Sequence, residues 1–166
     1  MTDKNTTDPY PTKGGRCEDL DNAAEIVLQL IRTAGQVIRI ESQQLCPALY
    51  HRTDCVQAIQ TFCLQHPRGQ VRILISDAAQ IRSHGHLLIP LLQKLTSAIE
   101  IRITPDPCPH EVLMVDNRGY LRLSDTDRYQ GHYALQDRRE TQVLVEDFQS
   151  RWEQAERAAS LLGLHI

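Results

Sequence analysis

The chain has 166 residues, of which 41% are hydrophobic and 23% charged, and its formal net charge at pH 7 is -3. This length fits one domain with its own hydrophobic core, and the composition is that of a soluble globular protein. The slightly acidic balance gives no general attraction to nucleic acid or to an anionic membrane surface, so we expect neither as a partner.

No apolar run reaches the roughly 20 residues that a membrane helix needs. The N-terminal residues are polar and lack the apolar centre of a signal peptide, so we expect a cytoplasmic protein. The five cysteines are odd in number and form no Cys-x-x-Cys pair, which argues against disulfides and zinc. We expect no metal and no cofactor.

The first part of the chain predicts alternating helices and strands after a flexible tail over residues 1–16, with the folded domain over 17–166. Helical periodicity predicts helices over 19–34, over 53–65, and from the loop containing Asp77 to Ser97. Runs of β-branched residues predict strands over 36–41, 70–76 and 99–104. Residues 42–50 are expected to form a loop. Pro90 interrupts the third helix, which is either kinked there or begins late, and we expect the kink.

The second part of the chain begins with a predicted β-hairpin over 111–123. Gly119 is expected to take the positive φ that a three-residue hairpin loop requires. A further short strand is predicted over 129–135. The spacing of Asp137 and Glu140 resembles a capping box at the start of a long amphipathic helix, and residues 161–166 are expected to pack back onto the domain.

These elements predict an α/β fold. Three helix–strand units imply parallel strands with right-handed crossovers. The Pro-rich break before His110 is too short for another crossover helix, so the next strand should be antiparallel. The expected architecture is a mixed sheet, with three parallel strands plus an antiparallel hairpin, flanked by helices.

With this layout the chain resembles one repeat of the phospholipase D-like fold. More narrowly, it resembles a bacterial family of uncharacterised domains often attached to GNAT acetyltransferases. The matching residues are Leu45-x-Pro47-x-Leu49-Tyr50-x-Arg52, QVRILISD, Gly85-His86-x-Leu88, Ser97-x-Ile99-Glu100-Ile101-Arg102, VDNRGYLR, Tyr129-x-Gly131 and Phe148-x-x-x-Trp152. The resemblance runs from Asp19 to the C-terminus. It implies a homodimer, because phospholipase D-like sites form from two repeats, and a functional link to GNAT acetyltransferases.

The same resemblance implies a site for phosphate chemistry, built on the motif His-x-Lys-x-x-x-x-Asp. In such enzymes the His attacks phosphorus and the Lys binds a phosphate oxygen. When His110 is aligned with the motif His, Val112 stands at the Lys position and Asn117 at the Asp position. When Asp116 is aligned with the motif Asp, Pro109 replaces His and Glu111 replaces Lys. Neither register is complete, so we assign no catalytic residue.

The candidate binding site lies where the parallel strands end, because open α/β sheets bind ligands there. We expect a phosphate-containing ligand to meet Ser42, Asp77, His86, His110 and Asp116. For Asp77 and Ser42, helix capping and loop hydrogen bonds are the ordinary alternatives. His84 and His86 are too closely spaced for a zinc pattern, and a thiol–imidazole pair of Cys108 with His110 is disfavoured.

Arginines interrupt three predicted strands at the same place and either form an anion-binding row or pair with nearby carboxylates: Arg39, Arg72 and Arg102. The leading functional interpretation is a non-catalytic binding or assembly module. The first alternative is a divergent phosphodiesterase or nuclease that uses His110 with Asp77 or Asp116. A second alternative, a flavodoxin- or receiver-like domain, would require a fully parallel sheet.

Overall fold

The computed structural model describes residues 14–158, in which one eight-stranded sheet runs through the chain. Its strands are β1 (Gly14–Cys17), β2 (Val37–Ser42), β3 (Gln70–Ile75), β4 (Ile99–Ile103), β5 (Glu111–Val115), β6 (Gly119–Asp125), β7 (Gln130–Ala134) and β8 (Glu156–Arg157). Their order across the sheet is β1-β7-β6-β5-β2-β3-β4-β8. β2, β3 and β4 are parallel, and β5, β6 and β7 form an antiparallel meander beside β2. The predicted mixed sheet is confirmed, and the fully parallel alternative is wrong.

Six helices are present in the described part of the chain. They are α1 (Leu20–Arg32), α2 (Pro47–Tyr50), α3 (Thr53–Gln65), α4 (Ala79–His84), α5 (Leu88–Lys94) and α6 (Arg138–Glu153). Asp19 caps α1 and Asp137 caps α6, each through its side chain. None of these helices combines the length and apolarity that a bilayer span needs.

The two faces of the sheet are covered unequally. Ile38, Ile40 and Ile73 belong to a large buried cluster with residues of α1 to α5. On the other face, Leu74 and Met114 belong to a smaller cluster with residues of α6. Because side chains alternate along a strand, Arg39 and Glu41 of β2 lie on the α6 face, whereas Ser42 lies on the α1–α5 face.

The predicted third helix is two helices, and the predicted kink at Pro90 is wrong. Helix α4 ends at Gly85, whose φ of 73° is incompatible with a continuing right-handed helix. Glycine adopts this positive φ without the steric cost that a Cβ would bring. Pro90 lies in the first turn of α5, where a backbone N–H has no intrahelical acceptor and its absence costs little. Residues 47–50 form α2 within the predicted loop.

Gly119 does not take the positive φ that the hairpin was expected to need, and that part of the prediction is wrong. Within this hairpin the residue with positive φ is Asp116, at 56°, and Asp tolerates this region better than most residues. A Cβ at Gly119 would lie 2.8 Å from the backbone oxygen of Leu135. Glycine is required there by a close approach of the backbone.

The ends of the described chain both join the sheet. Gly14–Arg16 belonged to the predicted flexible tail, yet they form most of β1 and pair with β7. Residues 1–13 of that tail lie outside the described residues, as do 161–166, which were predicted to pack back. β8, which was not predicted, pairs with β4 at the opposite edge.

Candidate functional site

The connection between β4 and β5 lies at the end of the sheet where the parallel strands β2, β3 and β4 terminate. Because β5 pairs with β2 and not with β4, residues 104–110 must cross the C-terminal ends of β3 and β2. The N–H of Thr104 donates to the Ile75 carbonyl at 2.8 Å, and the N–H of Cys108 donates to Ser76 Oγ at 3.3 Å. This crossing segment, residues 104–110, therefore lies over the sheet end that the sequence identified as the ligand site.

Under the crossing segment, Ser42 forms a buried pair with Glu111, a residue absent from the predicted site. Ser42 Oγ donates to Glu111 Oε2 at 2.7 Å and accepts from the N–H of Cys46 at 3.0 Å. Glu111 is 7% exposed, and its Oε1 has no hydrogen-bond partner among the described residues. The pair ties β2, β5 and the start of α2 together.

The Glu111 carboxyl is uncharged at neutral pH. Burial raises its pKa from 4.5 to about 8, the hydrogen bond from Ser42 opposes this, and Glu41 raises it further. At pH 7 the protonated form therefore dominates, and Glu111 contributes no negative charge to the strand ends. Its uncharged state also explains how a carboxyl group is tolerated next to the apolar cluster of the α1–α5 face.

On the α6 face, Arg151 fixes the crossing segment to the sheet. Its Nη1 pairs with Glu41 Oε2 at 2.6 Å, and its Nη2 donates to the Pro107 carbonyl at 3.1 Å and contacts Cys108 Sγ at 3.3 Å. Burial raises the pKa of the Cys108 thiol, so Cys108 is not an activated nucleophile at neutral pH. The positive charge of Arg151 is already neutralised by a buried carboxylate.

His86 is held in place by two backbone groups. Its Nδ1 accepts from the N–H of Leu88 at 3.1 Å, so Nε2 carries the proton and donates to the Leu45 carbonyl at 3.1 Å. Burial lowers the pKa of His86 to about 4, so the ring is neutral. His51 stands edge-on to it, with 5.1 Å between ring centroids. These bonds link the Ser42–Tyr50 segment to the start of α5.

His110 and Asp77 reach the same end of the sheet by different routes. Asp77 Oδ1 accepts from the N–H of Ala79, the first residue of α4, at 2.9 Å, although Asp77 is not the N-cap, because that position is Ala78. His110 ends the crossing segment, and its Nδ1 is closed off from solvent without a partner among the described residues. His110 is therefore the one predicted site residue with an uncommitted polar atom of this kind.

Asp116 lies at the opposite end of β5 from His110. The five residues of β5 lie between them, and the six residue steps from one to the other span about 20 Å at the usual rise per strand residue. Asp116 accepts hydrogen bonds from the N–H groups of Gly35, Gln36 and Val37, at 2.8 to 3.1 Å. The structure thus brings Ser42, Asp77, His86 and His110 to one end of the sheet and Asp116 to the other.

The described part of the strand-end site offers no metal-binding cluster, and two of its residues, Glu111 and Arg151, were not among the predicted site residues. Within residues 14–158, no group of three or more His, Cys, Asp or Glu side chains could hold a metal ion. All five cysteines are free. Glu111 could have been noticed as an acid opening an apolar strand. The contribution of Arg151 had no local signal, because it depends on where α6 crosses the sheet.

A family model described as Domain of unknown function (DUF7931) matches residues 19–164. None of the curated proteins matches the chain. Among solved structures, Nuc from Salmonella typhimurium, a phospholipase D family member, has a TM-score of 0.63 at 18% identity, covering 88% of this chain and 96% of that one. NucT from Helicobacter pylori has a TM-score of 0.65 at 12% identity, covering 87% of this chain and 98% of that one.

A third similar structure is that of TrmBL2, an archaeal chromatin protein described as showing a novel mode of DNA binding. Its TM-score is 0.68 at 15% identity, and the match covers 95% of this chain and 57% of that one. The chain thus spans little more than half of TrmBL2 and nearly all of Nuc and NucT. At these identities the likenesses show the fold alone, and that fold is phospholipase D-like.

Proposed function

The chain belongs to the family described as Domain of unknown function (DUF7931), and we propose that it acts as a non-catalytic binding and assembly module on the phospholipase D-like fold. The observation that carries the proposal is the buried Glu111–Ser42 pair. Phosphoryl transfer needs preorganised positive charge to stabilise the transition state. Here a carboxyl group, bonded at 2.7 Å to a serine, stands near the strand ends instead.

The geometry of Asp116 favours the register in which Glu111 replaces the motif lysine. With Asp116 as the motif Asp, Pro109 and Glu111 take the His and Lys positions. Asp116 anchors three backbone N–H groups at the start of β2, a demanding role that a chance aspartate at a turn would not need to fill. In this register both the nucleophile and the phosphate-binding cation of the motif are replaced.

Two other groups near the strand ends, Arg151 and His86, do not restore the missing charge. Arg151 is committed to Glu41 and to the crossing segment. His86 is neutral, because burial holds its pKa at about 4. Loss of a single preorganised donor costs about 10²–10³ in rate, and the loss of both motif side chains removes the nucleophile as well.

We further propose that the module is a homodimer in the cytoplasm, with a ligand at Ser42, Asp77, His86 and His110. Support for the dimer comes from the family resemblance alone, in which a site needs two repeats and this chain supplies one. The hairpin itself offers no free edge, because β5 and β6 both have neighbours on each side. The link to GNAT acetyltransferases is supported by the resemblance alone.

Hydrolysis assays test the catalytic part of this proposal. Purified protein would be incubated with bis(p-nitrophenyl) phosphate, single-stranded DNA and phosphatidylcholine vesicles, beside a His110→Ala variant. We expect no turnover above the buffer rate for either protein. Turnover by the wild type that His110→Ala removes would overturn the proposal. Light scattering after gel filtration tests assembly: a mass near twice 18.9 kDa supports the dimer, and a monomeric mass refutes it.

The divergent-enzyme alternative retains one specific observation, the buried and unpartnered Nδ1 of His110. Asp77 is the acid available to it, because Asp116 lies beyond the far end of β5. In that alternative His110 would act as nucleophile or base with an anionic substrate held over the strand ends. The same assay decides between the two, since only the alternative expects turnover that depends on His110.

A further inference from the structure

Two arginines stand side by side on the α6 face of the sheet, away from the strand-end residues. Arg39 of β2 and Arg72 of β3 are direct register partners, on strands about 4.8 Å apart. The predicted row of three arginines is therefore a pair. Arg102 is in register with Leu74, two residues further along β3.

The carboxylates on this face of the sheet are paired with other arginines. Glu100 accepts from Arg102 at 2.6 Å and from Arg157 at 3.1 Å. Glu41 is taken by Arg151. The guanidinium of Arg102 also lies over the ring of Trp152, at 4.4 Å from its centroid, so it is held on two sides.

Among residues 14–158, Arg39 and Arg72 have only neutral acceptors within hydrogen-bonding distance. Arg39 Nη1 donates to the Asp116 carbonyl oxygen at 3.4 Å, and Arg72 Nη1 donates to Gln149 Oε1 at 3.3 Å. Both bonds are long for a guanidinium, which usually approaches a carboxylate to about 2.7–2.9 Å. The carboxylate of Asp116 is itself occupied by backbone N–H groups.

Arg39 is held in an unfavourable environment. Its Nε is closed off from solvent and has no hydrogen-bond partner among the described residues. Burial and the positive charge of Arg72 lower the pKa of Arg39, and the negative charge of Asp116 only partly opposes them. Two adjacent guanidinium groups with spare donors cost the fold stability, and a bound anion would relieve that cost.

The pair is also reachable from outside the fold. Both side chains are partly exposed, beside the C-terminal half of α6, from which Gln149, Arg151 and Trp152 contact β3, β2 and β4. Gln149 of α6, which is partly exposed, adds a polar side chain beside Arg72. An anion entering from solvent would meet two planar groups of N–H donors without displacing an ion pair.

We propose that Arg39 and Arg72 form a binding site for a phosphate dianion, with Gln149 at its edge. A dianion matches two adjacent positive charges, whereas a single carboxylate would neutralise only one. Tetrahedral phosphate also offers several oxygens, so each guanidinium can bind a different one through a forked pair of N–H groups. The site contains no nucleophile or base and binds without chemistry, and it does not rest on the proposed function of the strand ends.

The test is calorimetric titration of the wild-type protein with inorganic phosphate and with glycerol 3-phosphate at low ionic strength. Arg39→Gln and Arg72→Gln each remove one positive charge together with the paired N–H donors of that guanidinium. Arg128→Gln is the matched control, because Arg128 is exposed in the turn between β6 and β7. Thermal melting without phosphate checks folding, and Arg39→Gln should melt no lower than the wild type because charge repulsion is removed.

We expect saturable binding at one site per chain in the wild type and in Arg128→Gln, weakened about tenfold or more in Arg39→Gln and Arg72→Gln. Arg39→Lys keeps the positive charge but loses the paired N–H donors of the guanidinium. Its phosphate affinity should lie between those of the wild type and Arg39→Gln. Equal binding of both probes supports recognition of the phosphoryl group alone, and tighter binding of glycerol 3-phosphate supports a phosphate monoester as ligand. Absence of saturable wild-type binding, or equal weakening in all Gln variants, would overturn the proposal.

Discussion

Replacing Glu111 by Gln should remove a large pH dependence from the folding stability of this protein. The pKa of Glu111 is about 8 in the folded protein against an ordinary value of 4.5. Between these two values the folded chain holds a proton that the unfolded chain has lost, so stability falls as pH rises. The gap corresponds to a cost on the order of 5 kcal/mol that is fully present above pH 8 and absent below pH 4.5.

The Gln side chain matches the shape of protonated Glu and can still accept the Ser42 hydroxyl hydrogen, but it cannot ionise. Urea denaturation of both proteins at pH 5, 6, 7 and 8 gives the difference in free energy of unfolding. We expect the two proteins to be similar at pH 5 and Glu111→Gln to be more stable by several kcal/mol at pH 8. Glu25→Gln, an exposed change of the same kind on α1, is the control and should show no such trend. A difference that stays constant from pH 5 to pH 8 would refute the reasoning.

Three further substitutions test the packing that positions these residues. Asp116→Ala removes the acceptor of the backbone N–H groups of residues 35–37, and urea denaturation should show a loss of about 3 kcal/mol, with a smaller loss for Asn. Gly119→Ala would place a methyl group 2.8 Å from a backbone oxygen and should lower the melting temperature, whereas Gly15→Ala, with no contact nearer than 3.8 Å, should not. The pKa of His86 falls from 6.5 to about 4, so the unfolded chain binds a proton that the folded chain excludes, and stability should drop by about 3 kcal/mol as pH falls through this window. Denaturation of His86→Gln over the same pH range should lack that drop, and a parallel drop in the variant would contradict the assignment.

Local pattern predicted most of the fold because strands β2, β3 and β4 are apolar runs whose neighbours follow from the crossover rule. The same reasoning missed α2 and β8, which are too short to show a period. It also assigned the wrong structural role to a proline and a glycine. Pro90 lies in the first turn of a helix and does not kink one, and Gly119 is needed for close approach and not for its φ. In both cases the residue type was informative, and the tertiary neighbour decided its role.

The candidate site was predictable only as far as parallel strands determine it. Ser42, Asp77 and His110 could be placed at one end of the sheet because chain direction fixes where strands end. The hydrogen-bond partners of these residues could not be predicted. For example, Ser42 contacts Glu111 only because β5 pairs with β2. That pairing joins residues about seventy positions apart, and no local pattern distinguishes it from pairing of β5 with β4.

The unequal covering of the sheet explains where ionic groups are found and where a charged ligand can bind. On the α1–α5 face, strands β2 to β5 carry one ionisable residue, Glu111, and burial keeps it protonated at neutral pH. On the α6 face a single helix leaves room for charge, and the same strands carry Arg39, Arg72 and three paired residues: Glu41, Glu100 and Arg102. Desolvating an ion costs much more than a partly exposed pair of arginines loses to mutual repulsion. We therefore expect an anionic ligand to bind at Arg39 and Arg72 on the α6 face, where the proposed site supplies its counter-charge.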